Sequence, residues 1–347
     1  MYRKLVDRLA KNSVLDRDGY LTLIRNRDSV REYAAGLATE IKRQHYGDRV
    51  FIRGLIEFTN NCRNNCYYCG IRSGNGCVER YRLSPQDILC CADSGYELGF
   101  RTFVLQGGED AAYTDDALVD IISEIRRKHP DCAITLSVGE RSRESYRRLK
   151  EAGADRYLLR HETVNPLHYK KLHPADMSHA NRLKCLYTLK ELGYQTGAGF
   201  MVGSPGQTDE DLADEMLFLK ELDPQMVGIG PFIPHKDTPF CDEKPGSAEL
   251  TVFLLSLIRL TLPRVLLPAT TALGTIDPAG REKGILAGAN VLMPNLSPAS
   301  VRNKYLLYDN KLCTGEEAAQ CIECLKSRIA GTGFKIVTER GDYNGKI

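Results

Sequence analysis

Apolar positions along this chain follow two periods. Eight short runs are dense in β-branched, aromatic and leucine residues: "VFIRGLIEF" (50–58), "TFVLQG" (102–107), "AITLSVG" (133–139), "RYLLRHE" (156–162), "TGAGFMVG" (196–203), "MVGIGPF" (226–232), "VLLPATT" (265–271) and "NVLMPN" (290–295). Their composition predicts buried strands. The stretches between them carry apolar residues at helical spacing. Ser84-Pro85-Gln86-Asp87 starts one helix, with proline at the first helical position. Thr208-Asp209-Glu210-Asp211 starts another, and "ANRLKCLYTLKELG" ends on Gly193 as a C-cap. Residues 1–48 read as two helices. The second is expected to open on a Ser29–Glu32 capping box and run toward His45.

Eight strands, each followed by a helix, predict an α/β protein built as a (β/α)8 TIM barrel. A doubly wound open sheet has the same alternation. The strand ends favour the barrel. They finish in "FTNNC", "QGGED", "SVGE", "RHET", "GSPGQ", "GPFIPH", "ATT" and "PNLS". A barrel gathers all eight ends on the face that carries the active site, whereas an open sheet has no need to decorate every one. The expected organisation is a helical segment over 1–48, the barrel over 49–310 and a C-terminal extension over 311–347. The Gly- and charge-rich residues 331–347 are expected to be poorly ordered.

Charge and composition narrow the partners. The chain has 347 residues with 47 basic and 45 acidic side chains, for a net charge of +2. That balance gives no footprint for nucleic acid and no basic tract for a membrane surface. No apolar run approaches a membrane span, and "MYRKLVDRLAKNSV" lacks the apolar core of a signal peptide. A cytoplasmic location is expected.

Twelve cysteines are many for such a protein, and half of them cluster. Cys62, Cys66 and Cys69 form C-x3-C-x2-C; Cys313, Cys321 and Cys324 form C-x7-C-x2-C. Clustering favours metal over disulfides. Cys77, Cys90, Cys91, Cys132, Cys185 and Cys241 have no ligand spacing and read as small core or surface residues. Structural zinc wants four ligands, and the first cluster has three. A [4Fe–4S] cube on three thiolates keeps one iron open, which suits an enzyme more than an electron carrier. An incomplete zinc site and unliganded thiols are the plainer alternatives.

At this motif, with the aromatic Tyr68 before its last cysteine, the sequence resembles the radical S-adenosylmethionine (SAM) enzymes. "QGGED" after the second strand strengthens the likeness. More closely, "GLIEFTNNCRNNCYYCGIR", "YRLSP", "GADRYLLRHET", "LKELGYQTGAGFMVGSPGQT", "PATTALGT" and "GANVLMPN" look like the HydE-type maturases of [FeFe]-hydrogenase, over about residues 50–325. Biotin synthase and methylornithine synthase are relatives on the same barrel.

The resemblance implies a [4Fe–4S] cluster on Cys62, Cys66 and Cys69, with SAM as the second cofactor. Gln106, Gly107 and Gly108 would meet the SAM amine, Glu162 and Arg182 its polar groups, and the Met226 main chain its adenine. Tyr68 and Ser137 belong to the same cofactor set. Arg160, Thr135, Thr270 and Thr271 would form an anion pocket, since a buried arginine is costly without an anion. Tyr305 and Tyr308 would cover it from one helical face. The bland alternatives are a surface ion pair for Glu162 and Arg182, a core methionine at 226 and simple packing for the tyrosines. His161, of opposite parity to its neighbours, is expected to be structural. Some HydE-like proteins carry a second surface Fe–S cluster where Cys313, Cys321 and Cys324 stand; zinc or an oxidised pair is the alternative. The implied substrate is a small iron–cysteine complex with CO and cyanide, supplied by another hydrogenase maturase, and a low-potential electron donor is implied with it. A methylornithine-synthase-like or biotin-synthase-like reaction on a small organic acid is the rival reading, and a non-catalytic Fe–S scaffold is a third.

Overall fold

The computed structural model describes residues 2–312 and 319–345. Its strands are β1 (Arg49–Ile52), β2 (Gly54–Thr59), β3 (Thr102–Gly107), β4 (Ala133–Ser137), β5 (Arg156–Leu158), β6 (Gln195–Ala198), β7 (Met201–Val202), β8 (Met226–Val227), β9 (Gly230–Pro231), β10 (Val291–Leu292) and β11 (Lys335–Val337). Every ladder among them is parallel. β2-β3-β4-β5-β6-β8 make one sheet, and β10 pairs with β1.

The sheet closes into the expected barrel. β1 and β2 are two halves of one pass separated at Arg53. Residues 265–268 supply the seventh stave only through single bridges, Leu266 to Met226 and Pro268 to Val291. Pro268 has no N–H to give a ladder, which accounts for the missing regular strand. Leu55 bridges Asn295 and completes the circle.

Period two fixes which side chains enter the barrel. Glu57, Gln106 and Ser137 are in mutual register near the mouth. Leu55, Val104, Thr135 and Arg156 make the layer beneath. His161 points the other way and is fully buried, with Nε2 2.6 Å from Glu215 Oε2 on the helix Asp209–Leu222.

Three helices precede the barrel, Tyr2–Asn12, Arg17–Arg25 and Arg31–Tyr46, where the sequence reading expects two. Their Val6, Leu23 and Ala34 share one core with Leu254 and Leu257 of the helix Ala248–Thr261. The Ser84 and Thr208 capping boxes form. The Ser29 box does not, because the third helix starts behind buried Val30.

The tail also departs from expectation. β11 adds to β1, and residues 340–343 close the N-terminal end of the barrel. Arg156, fully buried, donates to Arg340 O (2.9 Å), Gly341 O (3.2 Å) and Asp342 Oδ1 (2.7 Å). Gln195 Nε2 donates to Asp342 (3.1 Å), and Thr102 Oγ1 donates to Arg340 O (2.7 Å). Thr102, Arg156 and Gln195 are the first residues of their strands. A glycine- and charge-rich tail is ordered here because an inward guanidinium at the barrel floor needs acceptors, and the tail brings them.

Candidate active site

β2 ends at Thr59, and the cysteine loop leaves the barrel mouth there. Polar side chains tie it down. The buried Asn60 amide donates to Glu79 O (2.9 Å) and Lys304 O (2.7 Å) and accepts from Tyr81 N (2.8 Å). The Arg80 guanidinium donates to the carbonyls of Asn60, Ile71, Arg72 and Asn75 at 2.6–3.1 Å. Gly70 N donates to Leu307 O (2.9 Å), and a Cβ on Gly70 would lie 2.2 Å from Leu306 O. Only a glycine lets the loop approach the roof so closely.

Cys62, Cys66 and Cys69 line one cavity of about 330 Å³. Burial raises all three thiol pKa values, that of Cys66 to about 12. Without a cation between them they stay protonated; a thiophilic cation would make them thiolates. Among the described residues no three His, Cys, Asp or Glu side chains gather on a single ion. The triad surrounds a common space instead, and that arrangement together with its sulfur-only donor set suits a polynuclear iron–sulfur cluster.

The wall facing the loop is built for close approach. A Cβ on Gly108 would lie 2.2 Å from Asn61 O and 2.7 Å from Cys62 Cβ. Gln106 and Gly107 line the cavity beside it. Arg182 pairs through Nε with Glu140 (2.7 Å) and through Nη2 with Glu109 (3.9 Å). Burial works against its charge, but Glu140, Tyr169 and Glu109 outweigh that and hold its pKa above the ordinary arginine value. Tyr68, half-buried at the cavity wall, donates to His173 Nε2 (3.3 Å). His173 Nδ1–H donates to Tyr169 O (3.0 Å), and burial lowers the imidazole to about 3, so it stays neutral.

Glu162 is backbone-strained, with φ +66° at a buried non-glycine position. Such a conformation costs on the order of 1–3 kcal/mol and marks functional sites. Its Oε2 stands 3.1 Å from Arg160 Nη2 without hydrogen-bond alignment. Arg160 Nε and Thr270 Oγ1 are likewise buried without a hydrogen-bond partner among the described residues. Thr271 and Ser137 border the same space.

Tyr305 and Tyr308 cover the cavity, but from an irregular segment after the short helix Ala299–Arg302, not from one helical face. Burial raises the pKa of both phenols, keeping them neutral. Two charged residues that the motif reading missed join them. Lys311 Nζ pairs with Glu57 and donates to Tyr305 O (2.8 Å), and Asn295 Nδ2 donates to Glu57 (2.8 Å). A lone acid inside the apolar strand "GLIEFT" was the available signal for Glu57. Nothing local marked Lys311, and Glu109 stood unassigned within "QGGED".

Two of the expected positions fall elsewhere. Thr135 lies one layer below Ser137, buried, with Oγ1 unpartnered, and does not border the cavity. Met226 opens β8 at the opposite end of the barrel, where its Sδ accepts from Arg53 Nη1 (3.1 Å); Gly230, Pro231 and Ile233 carry that stave to the cavity. Cys321 and Cys324 are at the outer surface around the start of the helix Ile322–Ala330, and Cys313 lies outside the described residues.

Residues 56–219 match the radical SAM superfamily. The [FeFe] hydrogenase maturase subunit HydE of Thermotoga maritima is 54% identical over 86% of this chain and 85% of its own length. The 3-methylornithine synthase of Methanosarcina acetivorans is 29% identical over 86% and 83%. In structure, methylornithine synthase superposes with a TM-score of 0.84 at 25% identity, over 96% of this chain and 97% of its own. The [FeFe]-hydrogenase maturase HydG shares the fold, with a TM-score of 0.80 at 18% identity over 97% and 76%.

Proposed function

The chain belongs to the HydE branch of the radical SAM superfamily, and on that premise we propose that it acts on a small iron–cysteine complex bearing CO and cyanide during assembly of the diiron subcluster of [FeFe]-hydrogenase. Cys62, Cys66 and Cys69 would hold the [4Fe–4S] cluster, and Gln106, Gly107, Gly108, Glu162 and Arg182 would hold SAM. When bound, this pair of cofactors supplies reductive cleavage of the sulfonium to methionine and a 5′-deoxyadenosyl radical.

The protein's own part is binding, orientation and exclusion of water. The observation that carries the reading is one cavity lined by the three half-buried thiols and by Arg160 Nε and Thr270 Oγ1, which have no hydrogen-bond partner among the described residues. Unpaired buried donors favour an anionic ligand that satisfies them. Arg160 offers a planar fork for a carboxylate, and Thr270 a rotatable hydroxyl. The Glu140 carboxylate lies 2.7 Å from Arg182 Nε and holds the guanidinium charge at the cavity wall. Tyr305, Tyr308 and the Lys311–Glu57 pair roof the space. A roof over the site limits the access of water to a reactive intermediate. The substrate would come from a partner maturase and the electron from a low-potential donor. An accessory surface cluster at Cys313, Cys321 and Cys324 would take no part in the chemistry.

The test is a cell-free hydrogenase maturation mixture run with and without this protein, alongside an anaerobic assay for 5′-deoxyadenosine. Hydrogen evolution is expected only when the protein is present, and Cys66→Ala is expected to abolish both signals. Intact SAM cleavage with maturation indifferent to the protein would overturn the substrate assignment.

A further inference from the structure

Cys62 differs from the other two thiols of its loop. Cys66 and Cys69 line the inner cavity, whereas Cys62 lines it and also borders a separate outer cleft of about 300 Å³. Arg63, Arg80, Arg82, Glu109 and Asp110 wall that cleft. Electron tunnelling falls steeply with distance, so an electron bound for the cysteine loop is best delivered where a ligating residue meets the outside.

The charges of the cleft are layered. Glu109 and Asp110 are covered, with side chains 8% and 3% exposed, while their partners Arg63 and Arg82 are 66% and 49% exposed. Asp110 is held from within by Thr59 Oγ1 (2.8 Å) and from outside by the Arg82 fork (2.6 and 3.0 Å). Arg80 commits its donors to four backbone carbonyls and adds a third positive charge beneath. The carboxylates thus sit under the guanidinium groups, and an approaching molecule meets the cationic side. The chain as a whole is close to neutral, at +2, so this layering, and not the net charge, gives the face its sign.

We propose that this cleft is the docking face for the electron donor, and that the donor is a small acidic one-electron carrier protein. The proposal rests on the cluster assignment made above. One electron would leave the carrier, which is oxidised by one unit, and would reduce by one unit the cluster that Cys62, Cys66 and Cys69 would hold; no atom or proton is transferred. Complexes of this type bury little area and depend on charge for encounter.

The probe is an acidic [2Fe–2S] ferredoxin added to the full, anaerobically reconstituted chain. Two quantities are read: equilibrium binding of the oxidised ferredoxin, and the rate of reduction by the reduced ferredoxin compared with dithionite, which needs no docking face. Arg63→Glu is expected to weaken binding about tenfold at low ionic strength and to slow ferredoxin reduction in parallel. Arg63→Gln, which places no new charge beside Glu109, should give a smaller loss in the same direction. Dithionite reduction should be unchanged in both, and wild-type binding should weaken as salt is added. Lys4→Glu, on the exposed face of the first helix, is the control. Unchanged binding in both Arg63 variants, an equal loss in Lys4→Glu, or loss of dithionite reduction along with ferredoxin reduction would overturn the docking face. A wild-type protein with no dithionite-reducible cluster would remove the cluster assignment first, and this proposal with it.

Discussion

Arg160 is where residue chemistry is most exposed to test. Its Nε has no hydrogen-bond partner among the described residues, and its Nη2 faces Glu162 off-axis. Lysine would keep the charge and lose the fork. Arg160→Lys is expected to leave 5′-deoxyadenosine formation largely intact and to lower product formation about 10- to 100-fold, the worth of one or two charge-assisted hydrogen bonds. Both products can be quantified in one anaerobic assay; a fully coupled variant would remove Arg160 from substrate binding. The residue was legible because an arginine beside a glutamate at a strand end has few bland uses. The strain at Glu162 was not, since a positive φ is imposed by the surrounding fold and leaves no mark in residue type.

At the scale of elements, local signals succeeded where they were self-contained. Ser84 and Thr208 cap their helices with reciprocal Asp87 and Asp211 bonds, as their spacing predicts. Ser29 carries the same signature and does not cap: Ser29 N donates to Asn26 O in a tight turn, and Val30 is drawn into the core. Ser84→Ala should therefore cost about 1 kcal/mol, and Ser29→Ala less than about 0.5 kcal/mol, in urea midpoints measured side by side. Equal costs would contradict the assigned helix start. Gly108→Ala tests loop against loop. Its Cβ would meet backbone at 2.2 Å, so the cysteine loop has to move, and iron retained after reconstitution should fall well below wild type while secondary structure is kept. Iron content equal to wild type would show that the close approach is not needed.

The whole molecule is held at both ends of the chain. Lys42, on the third helix, is buried and donates to Ile285 O (2.6 Å) and Ala289 O (3.2 Å), with its nitrogen 3.2 Å from the ring centroid of Phe334 in the C-terminal segment. Burial lowers its pKa to about 6, from an ordinary 10.5. Between those values the unfolded chain holds a proton that the folded chain has shed. Unfolding then takes up a proton, and this residue's contribution makes stability rise as pH increases from about 6 toward 10. Lys42→Met is expected to flatten that slope in urea titrations at several pH values; an unaltered slope would show that the amine stays charged.

Much of this protein was determined by sequence alone. The eight staves, their helices and the polar strand ends follow from periodicity, and the cysteine triad from a spacing that works only because its ligands share one short loop. Cys62, Cys66, Cys69, Gln106, Gly107 and Gly108 stand together because two adjacent strands end beside each other. Tertiary structure decided the rest. Thr135 and Met226 were assigned without knowing their depth, and depth depends on barrel register, which residue identity does not encode. The Lys311–Glu57 pair joins positions 254 residues apart. Residues 340–343 read as a polar tail and became the barrel floor because Arg156, inward by strand parity, has to find acceptors there. Local sequence fixes what is close along the chain; a buried charge is satisfied by whatever the closed fold brings to it.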